Sequence, residues 1–368
     1  MALKVIVKLH SFVLLLLLMH LASADIPATG SEIITKPGCR SHCGNVSIPY
    51  PFGIGPGCFI DKDFELSCDE SIVNDIKPAY GSIKISNISI PDGHMTAEIF
   101  MGRDCPDNRY TASATLVGTF TFSSAKNKFI GMGCNTWAYL GLDDSASICT
   151  GCLSVCNKTK DITNGSCTGV GCCQAPVPVG LKTLYVKVGK MFTNNTSERL
   201  SFNPCSYGFI VDESSFNFTL PYLKDFKNNG TGTVPVVVDW TVGNETCMEA
   251  ARNPSSYACG QNTDCSVPEG NNTLGYRCNC RWGYTGNPYL QSSTLGGCRD
   301  VDECKEICKG PGGKCENTEG NYTCVCNNGY SYEVRDNITY CILENKSSLP
   351  GSTQNNNLNK IVVGKLCF

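Results

Sequence analysis

Residues 234–242 read VPVVVDWTV. Val234, Val236, Val238, Trp240 and Val242 fall on one face of a two-residue period, with Asp239 and Thr241 on the other. That alternation is the pattern of a half-buried β-strand. Weaker alternation recurs in GSIKISNISI (81–90), TLVGTFTF (115–122) and LYVKV (184–188), with clusters of Gly, Pro, Asn and Ser between them. No stretch sustains a helical period, so the chain is expected to be mainly β.

Cysteine sets the compartment. The 368 residues include 26 Cys, a load that is stable only where disulfides form and persist, which excludes a reducing interior. Lys4 and Lys8 flank or precede the apolar run SFVLLLLL (11–18), and Ala22, Ser23 and Ala24 follow it. A basic start, a short apolar stretch and small residues at the end predict a signal peptide over residues 1–24. Lys8, His10 and His20 interrupt the same segment too often for a membrane-spanning helix. Cleavage removes two of the 30 basic residues and none of the 33 acidic ones, so the net charge moves from -3 to -5. A chain of that charge has no broad electropositive field and is not expected to bind nucleic acid. Thirteen Asn-x-Ser/Thr sequons start between Asn45 and Asn345, in keeping with a secreted, extracellular glycoprotein.

The cysteines fall into groups: thirteen from Cys39 to Cys205, twelve from Cys247 to Cys341, and Cys367 alone. Thirteen is odd, so one of the first group is unpaired or meets Cys367. The twelve divide into two sixes, Cys247, Cys259, Cys265, Cys278, Cys280 and Cys298, then Cys304, Cys308, Cys315, Cys324, Cys326 and Cys341. Each set has a CxC pair with three cysteines before it and one after, and an aromatic-glycine turn between. Six cysteines alone allow fifteen pairings. This spacing resembles the EGF-like module, and the resemblance implies first-to-third, second-to-fourth and fifth-to-sixth pairing: Cys304 with Cys315, Cys308 with Cys324, Cys326 with Cys341. Modules this small need such staples, each supplying about 2 to 4 kcal/mol.

DVDEC (300–304) and CENTEGNYTC (315–324) sharpen that reading, because together they resemble the calcium-binding EGF pattern. Calcium takes six to eight oxygen ligands. The resemblance implies side-chain oxygens from Asp300, Glu303 and Asn317 and backbone carbonyls from Val301, Thr318 and Asn321, with Tyr322 at the aromatic position. The first module has Gly243 and Thr246 before Cys247, and Val267 after Cys265, where the pattern wants acids or amides. One Ca2+ is therefore expected, in the second module, stiffening the joint between the two.

The block CRSHCGNVSIPYPFGIGPGC (39–58), followed by FELSC ending at Cys68, resembles the galacturonan-binding domain of plant wall-associated receptor kinases. GCLSVC (151–156), GSCTGVGCC (165–173), NPCSYGF (203–209) and VPVVVDW agree with the same extracellular region, which also ends in an EGF pair. The implied organisation is a galacturonan-binding-like cysteine-rich domain at 36–135 and a second cysteine-rich β module at 136–246. EGF-like modules at 247–298 and 299–341 follow, then a polar tail at 342–368. The fold expectation is thus a cysteine-stapled β-rich N-terminal region followed by two EGF-like modules.

The implied partner is acidic pectin of the cell wall. A polymer with a carboxylate on each unesterified sugar asks for spaced cations, and Arg can bridge a carboxylate bidentately. Between residues 77 and 135 six basic residues stand against four acidic ones, a local net of +2. The candidates are Lys84, Arg103, Arg109, Lys126 and Lys128, with Arg40 beside the signature block. Tyr80, Phe100 and Tyr110 are candidate sugar-facing rings. An interaction role for the EGF pair, toward an extracellular protein ligand or full-length receptors, is the alternative. Catalysis is disfavoured. Only His42 and His94 follow the leader, no kinase signature occurs, and the carboxylate pair Asp63 and Glu65 sits in a stapled strand context. The family resembled continues into a membrane segment and a kinase, and NKIVVGKLCF (359–368) is too short and interrupted to span a bilayer.

Overall fold

The computed structural model describes residues 35–71, 75–142, 148–191, 201–226, 232–268, 274–305, 312–335 and 338–343. The leader at 1–24, Cys308, Cys367 and the tail from residue 344 lie outside the described residues. A short ribbon, β1 (His42–Cys43) with β2 (Val46–Ser47), opens the fold. Next in the chain come β3 (Ser67–Cys68), β4 (Pro78–Tyr80), β5 (Ile83–Ser89) and β6 (His94–Phe100), an antiparallel run. It is extended by β17 (Thr233–Asp239) and β10 (Thr121–Phe122) into a six-stranded sheet ordered β10-β17-β6-β5-β4-β3.

Two further sheets pack face to face. One joins β7 (Gly102–Asp104), β8 (Arg109–Tyr110), β11 (Asn127–Met132), β14 (Cys172–Pro176) and β16 (Ser206–Asp212) in the order β14-β11-β16-β7-β8. The other joins β9 (Ala112–Thr115), β12 (Thr136–Gly141), β13 (Ile148–Ser154) and β15 (Thr183–Lys190) in the order β13-β12-β15-β9. Close approach depends on missing side chains. A Cβ on Gly131 would lie 2.9 Å from Ala138 Cβ, and one on Gly208 would lie 3.1 Å from Val186 Cγ1. The six-stranded sheet is tied in by buried Asn127, whose amide donates to the Val237 carbonyl (2.7 Å) and accepts from the Val237 N–H (2.9 Å).

Four sequence expectations change. The strand in 234–242 is buried on both faces, not half-buried, because β17 lies between β10 and β6 and under β16: Asp239 and Thr241 are as enclosed as the valines. TLVGTFTF is not one strand. It ends at Thr115 and resumes at Thr121, with Gly118 at φ +60° and Phe120 donating back to Val117 (3.3 Å), a turn that drives Phe120 into the core. The division at residue 135 is crossed by pairing in all three sheets: β6 with β17, β9 with β15, and β11 with both β14 and β16. Residues on either side of it share one core. β25 (Ile338–Leu343) also runs past the expected start of the tail at 342.

Eleven disulfides staple the described residues. Six pair twelve of the first thirteen cysteines, linking Cys39 to Cys58, Cys43 to Cys68, Cys105 to Cys205, Cys134 to Cys156, Cys152 to Cys173 and Cys167 to Cys172. Exposed Cys149 is left with a free thiol. The first EGF-like module pairs Cys247 with Cys265, Cys259 with Cys278 and Cys280 with Cys298. In the second, Cys304 pairs with Cys315 and Cys326 with Cys341. Cys324 is disulfide-bonded as well.

Candidate functional sites

The second EGF-like module is built on β22 (Gly313–Thr318) and β23 (Asn321–Cys326), entered through a single 3-10 turn at Glu303–Lys305. That turn carries Glu303 inward. Its side chain is buried at 8% exposure, and neither carboxylate oxygen has a hydrogen-bond partner. Burial, and secondarily the charges of Asp300 and Asp302, push its carboxyl above the ordinary value. A buried carboxylate with no donor is costly unless a cation answers it. Around it, Asp300 accepts from Asn317 Nδ2 (2.7 Å) and from the Gly320 N–H. The Val301 carbonyl faces back to the Glu303 N–H (3.1 Å), and the Asn321 carbonyl accepts from Thr318 Oγ1 (2.9 Å). Tyr322, 3% exposed, fixes β23 from beneath.

Asp300, Val301, Glu303, Asn317, Thr318 and Asn321 therefore lie on the joined ends of β21 (Arg299–Asp300), the 3-10 turn and the β22–β23 hairpin. The donors are oxygen, with two carboxylates among them, a chemistry that fits a hard cation of calcium's class. Among the described residues no group of three or more His, Cys, Asp or Glu gathers as a metal cluster. The joint to the preceding module runs through β20 (Tyr284–Thr285), which pairs with β21, and through Val301 N–H donating to the Gly283 carbonyl (2.9 Å).

The candidate sugar-binding cations do not form one cluster. Lys84 lies on β5 in the six-stranded sheet and pairs with Asp75 (2.6 Å). Arg40 pairs with Glu70 and donates to the His42 carbonyl (2.6 Å). Lys128 on β11 pairs with Glu213 (3.5 Å), and Arg109 on β8 reaches buried Asp104 (3.2 Å). Lys126 is exposed just before β11, at the far end of β16 from Arg103: Lys128 is in register with Val211, and Arg103 with Tyr207. Among the described residues, Arg103 and Lys126 make no ion pair. Of the candidate rings, Tyr80 belongs to the core, packed on Phe120 (5.0 Å), with its hydroxyl pushed up to about 12 by burial. Glu65 of the carboxylate pair is taken by Lys62. His94 faces Asp239 (3.0 Å) across the β6–β17 pair.

Phe100, Arg103 and Tyr110 do meet. They line one cavity of about 690 Å³ with Asp107, Asn108, Tyr207, Lys224 and Asp225. Phe100 is 56% exposed and Tyr110 42%, their rings 6.2 Å apart in an edge arrangement. Exposed rings beside the Arg103 guanidinium and the exposed Lys224 ammonium offer apolar faces and positive charge together. Lys224 was not legible as a partner of Arg103 in the sequence. It lies more than a hundred residues away, in PYLKDF (221–226), and only the Cys105–Cys205 bridge and the β7–β16 pairing bring the two stretches together.

These sites belong to a β-rich, disulfide-rich extracellular binding region. The galacturonan-binding domain of wall-associated receptor kinases matches residues 39–98, and a calcium-binding EGF domain matches residues 300–341. Both are binding modules. The chain is homologous over about four fifths of its length to wall-associated receptor kinases of Arabidopsis thaliana. It is 37% identical to wall-associated receptor kinase 2 over 314 residues, covering 82% of this chain and 40% of that protein. It is 36% identical to wall-associated receptor kinase 3 over 309 residues, covering 78% and 39%. With wall-associated receptor kinase 5 it shares 33% over 333 residues, covering 88% and 42%. The chain thus spans about two fifths of the length of these relatives. Among its described residues no helix is long and apolar enough to cross a membrane.

Proposed function

We propose that this protein binds de-esterified galacturonan in the cell wall through the cavity beside β7 and β8, while one Ca2+ braces the second EGF-like module. The observation that carries the first part is Arg103, which makes no ion pair among the described residues and stands with exposed Phe100 and Tyr110 in a cavity of about 690 Å³. Arg103 and Lys224 answer the uronate carboxylates, and Phe100 and Tyr110 offer faces to the pyranose C–H groups. Asp107 and Asp225 line the same cavity and provide acceptors for sugar hydroxyls. Arg40, Lys84, Arg109 and Lys128 are already paired with protein carboxylates, so they serve this reading only as secondary contacts. Calcium binding rests on the match at residues 300–341 and on the buried, donor-less Glu303 carboxylate. With Asp300 and Asn317 beside it, Glu303 holds the cation, which supplies positive charge at the joint.

The test is retention on polygalacturonate across a salt series. The double variant Arg103→Ala/Lys224→Ala is expected to bind about tenfold or more weakly and to show a shallower salt dependence. Lys84→Ala should bind within about twofold of the parent protein. Equal retention of the double variant and the parent would refute the cavity as the site.

A further inference from the structure

The outer face of the four-stranded sheet carries a second group of rings. Strand alternation sends Ala138 and Leu140 of β12, with Val186 and Val188 of β15, into the sandwich, where all four are buried. The intervening residues Trp137, Tyr139 and Tyr185 are half-buried on the opposite face. The rings of Trp137 and Tyr139 lie 5.6 Å apart with only 12° between their planes. Among the described residues, their cross-strand neighbours leave them uncovered by side chains on alternate sides. Trp137 stands between Gly189 and Leu153, and Tyr139 between Lys187 and Gly151. Leu153 is 60% exposed.

Two near-parallel rings, one residue pair apart on a strand, present π-faces at a spacing on the scale of consecutive sugar rings. The charge pattern selects the sugar. None of the four strands β9, β12, β13 and β15 contains Asp or Glu. Of their two lysines, Lys187 lies over the Tyr185 ring (5.3 Å) and Lys190 donates to the Cys134 carbonyl and the Asn203 side chain (both 2.8 Å). A fully charged uronate chain would find no Arg here and no lysine without a role. An uncharged chain of the same polymer meets no such penalty, and its ester methyls match the apolar surface at Leu153.

We infer that the Trp137–Tyr139 face binds methyl-esterified galacturonan, its pyranose C–H faces stacked on the two rings and its ester methyls against Leu153. The inference rests on the reading that this protein handles galacturonan, but it uses a different surface from the Arg103 cavity. One protein then carries two surfaces for two esterification states of one polymer.

The experiment titrates the secreted protein with fully methyl-esterified pectin, polygalacturonate and cello-oligosaccharide, following calorimetric heat and tryptophan fluorescence. Trp137→Ala should weaken binding of the esterified polymer about tenfold and leave polygalacturonate binding within about twofold. Trp137→Phe should keep most of the affinity. Gly189→Ala is expected to weaken it as well, because a Cβ there would lie 2.5 Å from Trp137 Cζ2 and displace the indole. Binding of the esterified polymer should not depend on salt, since no ion pair forms. Matched unfolding midpoints for Trp137→Phe and the parent guard against misfolding. The inference is overturned if the parent does not bind esterified pectin, if Trp137→Ala binds it as tightly as the parent, or if cello-oligosaccharide binds equally well through Trp137. Loss of polygalacturonate binding in Arg103→Ala/Lys224→Ala with esterified binding intact would support both surfaces. Intact polygalacturonate binding in that variant, with Trp137-dependent esterified binding, would remove the cavity reading and leave this one standing.

Discussion

The two EGF-like modules share first-to-third and fifth-to-sixth disulfides and differ in what holds them. Ala258, Cys259, Tyr276, Cys278 and Tyr289 of the first belong to the same buried core as Phe52, Phe64 and Trp240. Tyr289 lies 5.8 Å from the Trp240 ring, and Tyr276 and Val242 exchange both backbone hydrogen bonds. Arg277 spans the seam, donating to the carbonyls of Trp240 (2.9 Å) and Asp92 (3.1 Å). The second module has its own core of three buried residues, Tyr322, Cys324 and Cys341. A module too small to bury enough apolar surface can dock on a larger core or take a metal; the first module docks, and the second matches a calcium-binding EGF domain.

The largest test of that contrast is Trp240→Ala. Trp240 is fully buried between Phe52 (5.3 Å) and Phe64 (5.9 Å), so truncation should cost about 3 to 5 kcal/mol. In hydrogen exchange the loss should appear in the sheets and the first EGF-like module together. Loss of protection confined to the sheets, with the first module unaffected, would mean the two cores are separate.

Glu303→Gln comes next and acts on the second module alone. It should weaken calcium binding about tenfold to a hundredfold, measured by calorimetry, with the core sheets unchanged. The pH dependence follows from the same group. Its folded-state carboxyl titrates above the ordinary 4.5, so ionising it costs stability in the metal-free module. That module should lose stability as pH rises through the raised value, and be free of this cost below about pH 4.5. Calcium binds the ionised form, so its affinity should fall as pH drops through the same window, with protons taken up as the metal leaves. Affinity that is flat from about pH 4 to about pH 7 would remove Glu303 from the ligand set.

Asn287→Ala probes the seam more gently. Its amide donates to the Tyr50 carbonyl (2.6 Å) from a position 1% exposed, so removal should cost about 1 to 3 kcal/mol and loosen the first module before the sheets. Arg281→Ala is the smallest effect. The pair with Asp264 (3.2 Å) is exposed on both sides, and the unfolding midpoint should shift by no more than about 0.5 kcal/mol allows.

Much of this was legible in the sequence for one physical reason: cysteine and local ligand motifs write their geometry into short spacings. The calcium-binding EGF pattern was readable in DVDEC (300–304) and CENTEGNYTC (315–324) because its residues lie close along the chain, and the domain match falls on the same stretch. The strands at 83–89 and 183–190 were readable from alternation, since one face meets the core and the other does not. The same logic misjudged 234–242. A strand enclosed by β16 as well as by its sheet keeps Asp239 and Thr241 buried, and only their hydrogen-bond partners could reveal that. Nor could it show that four of the six candidate cations, Arg40, Lys84, Arg109 and Lys128, pair with protein carboxylates. The alternation of Trp137 and Tyr139 between inward residues was present in TWAYLG (136–141), but that the two rings run parallel over a glycine-flanked sheet was not.

By itself, then, the sequence determined the compartment, the mainly β class, the EGF-like spacing and the calcium-binding EGF pattern of the second module, all properties carried by composition or by residues close along the chain. The tertiary structure alone decided which thiol stays free, that residues on both sides of 135 share one core, that the first EGF-like module is welded to it, and that Arg103 meets Lys224. Each of these depends on contacts between segments tens to more than a hundred residues apart, whose pairing is set by the packing of whole sheets and cannot be read from any local pattern.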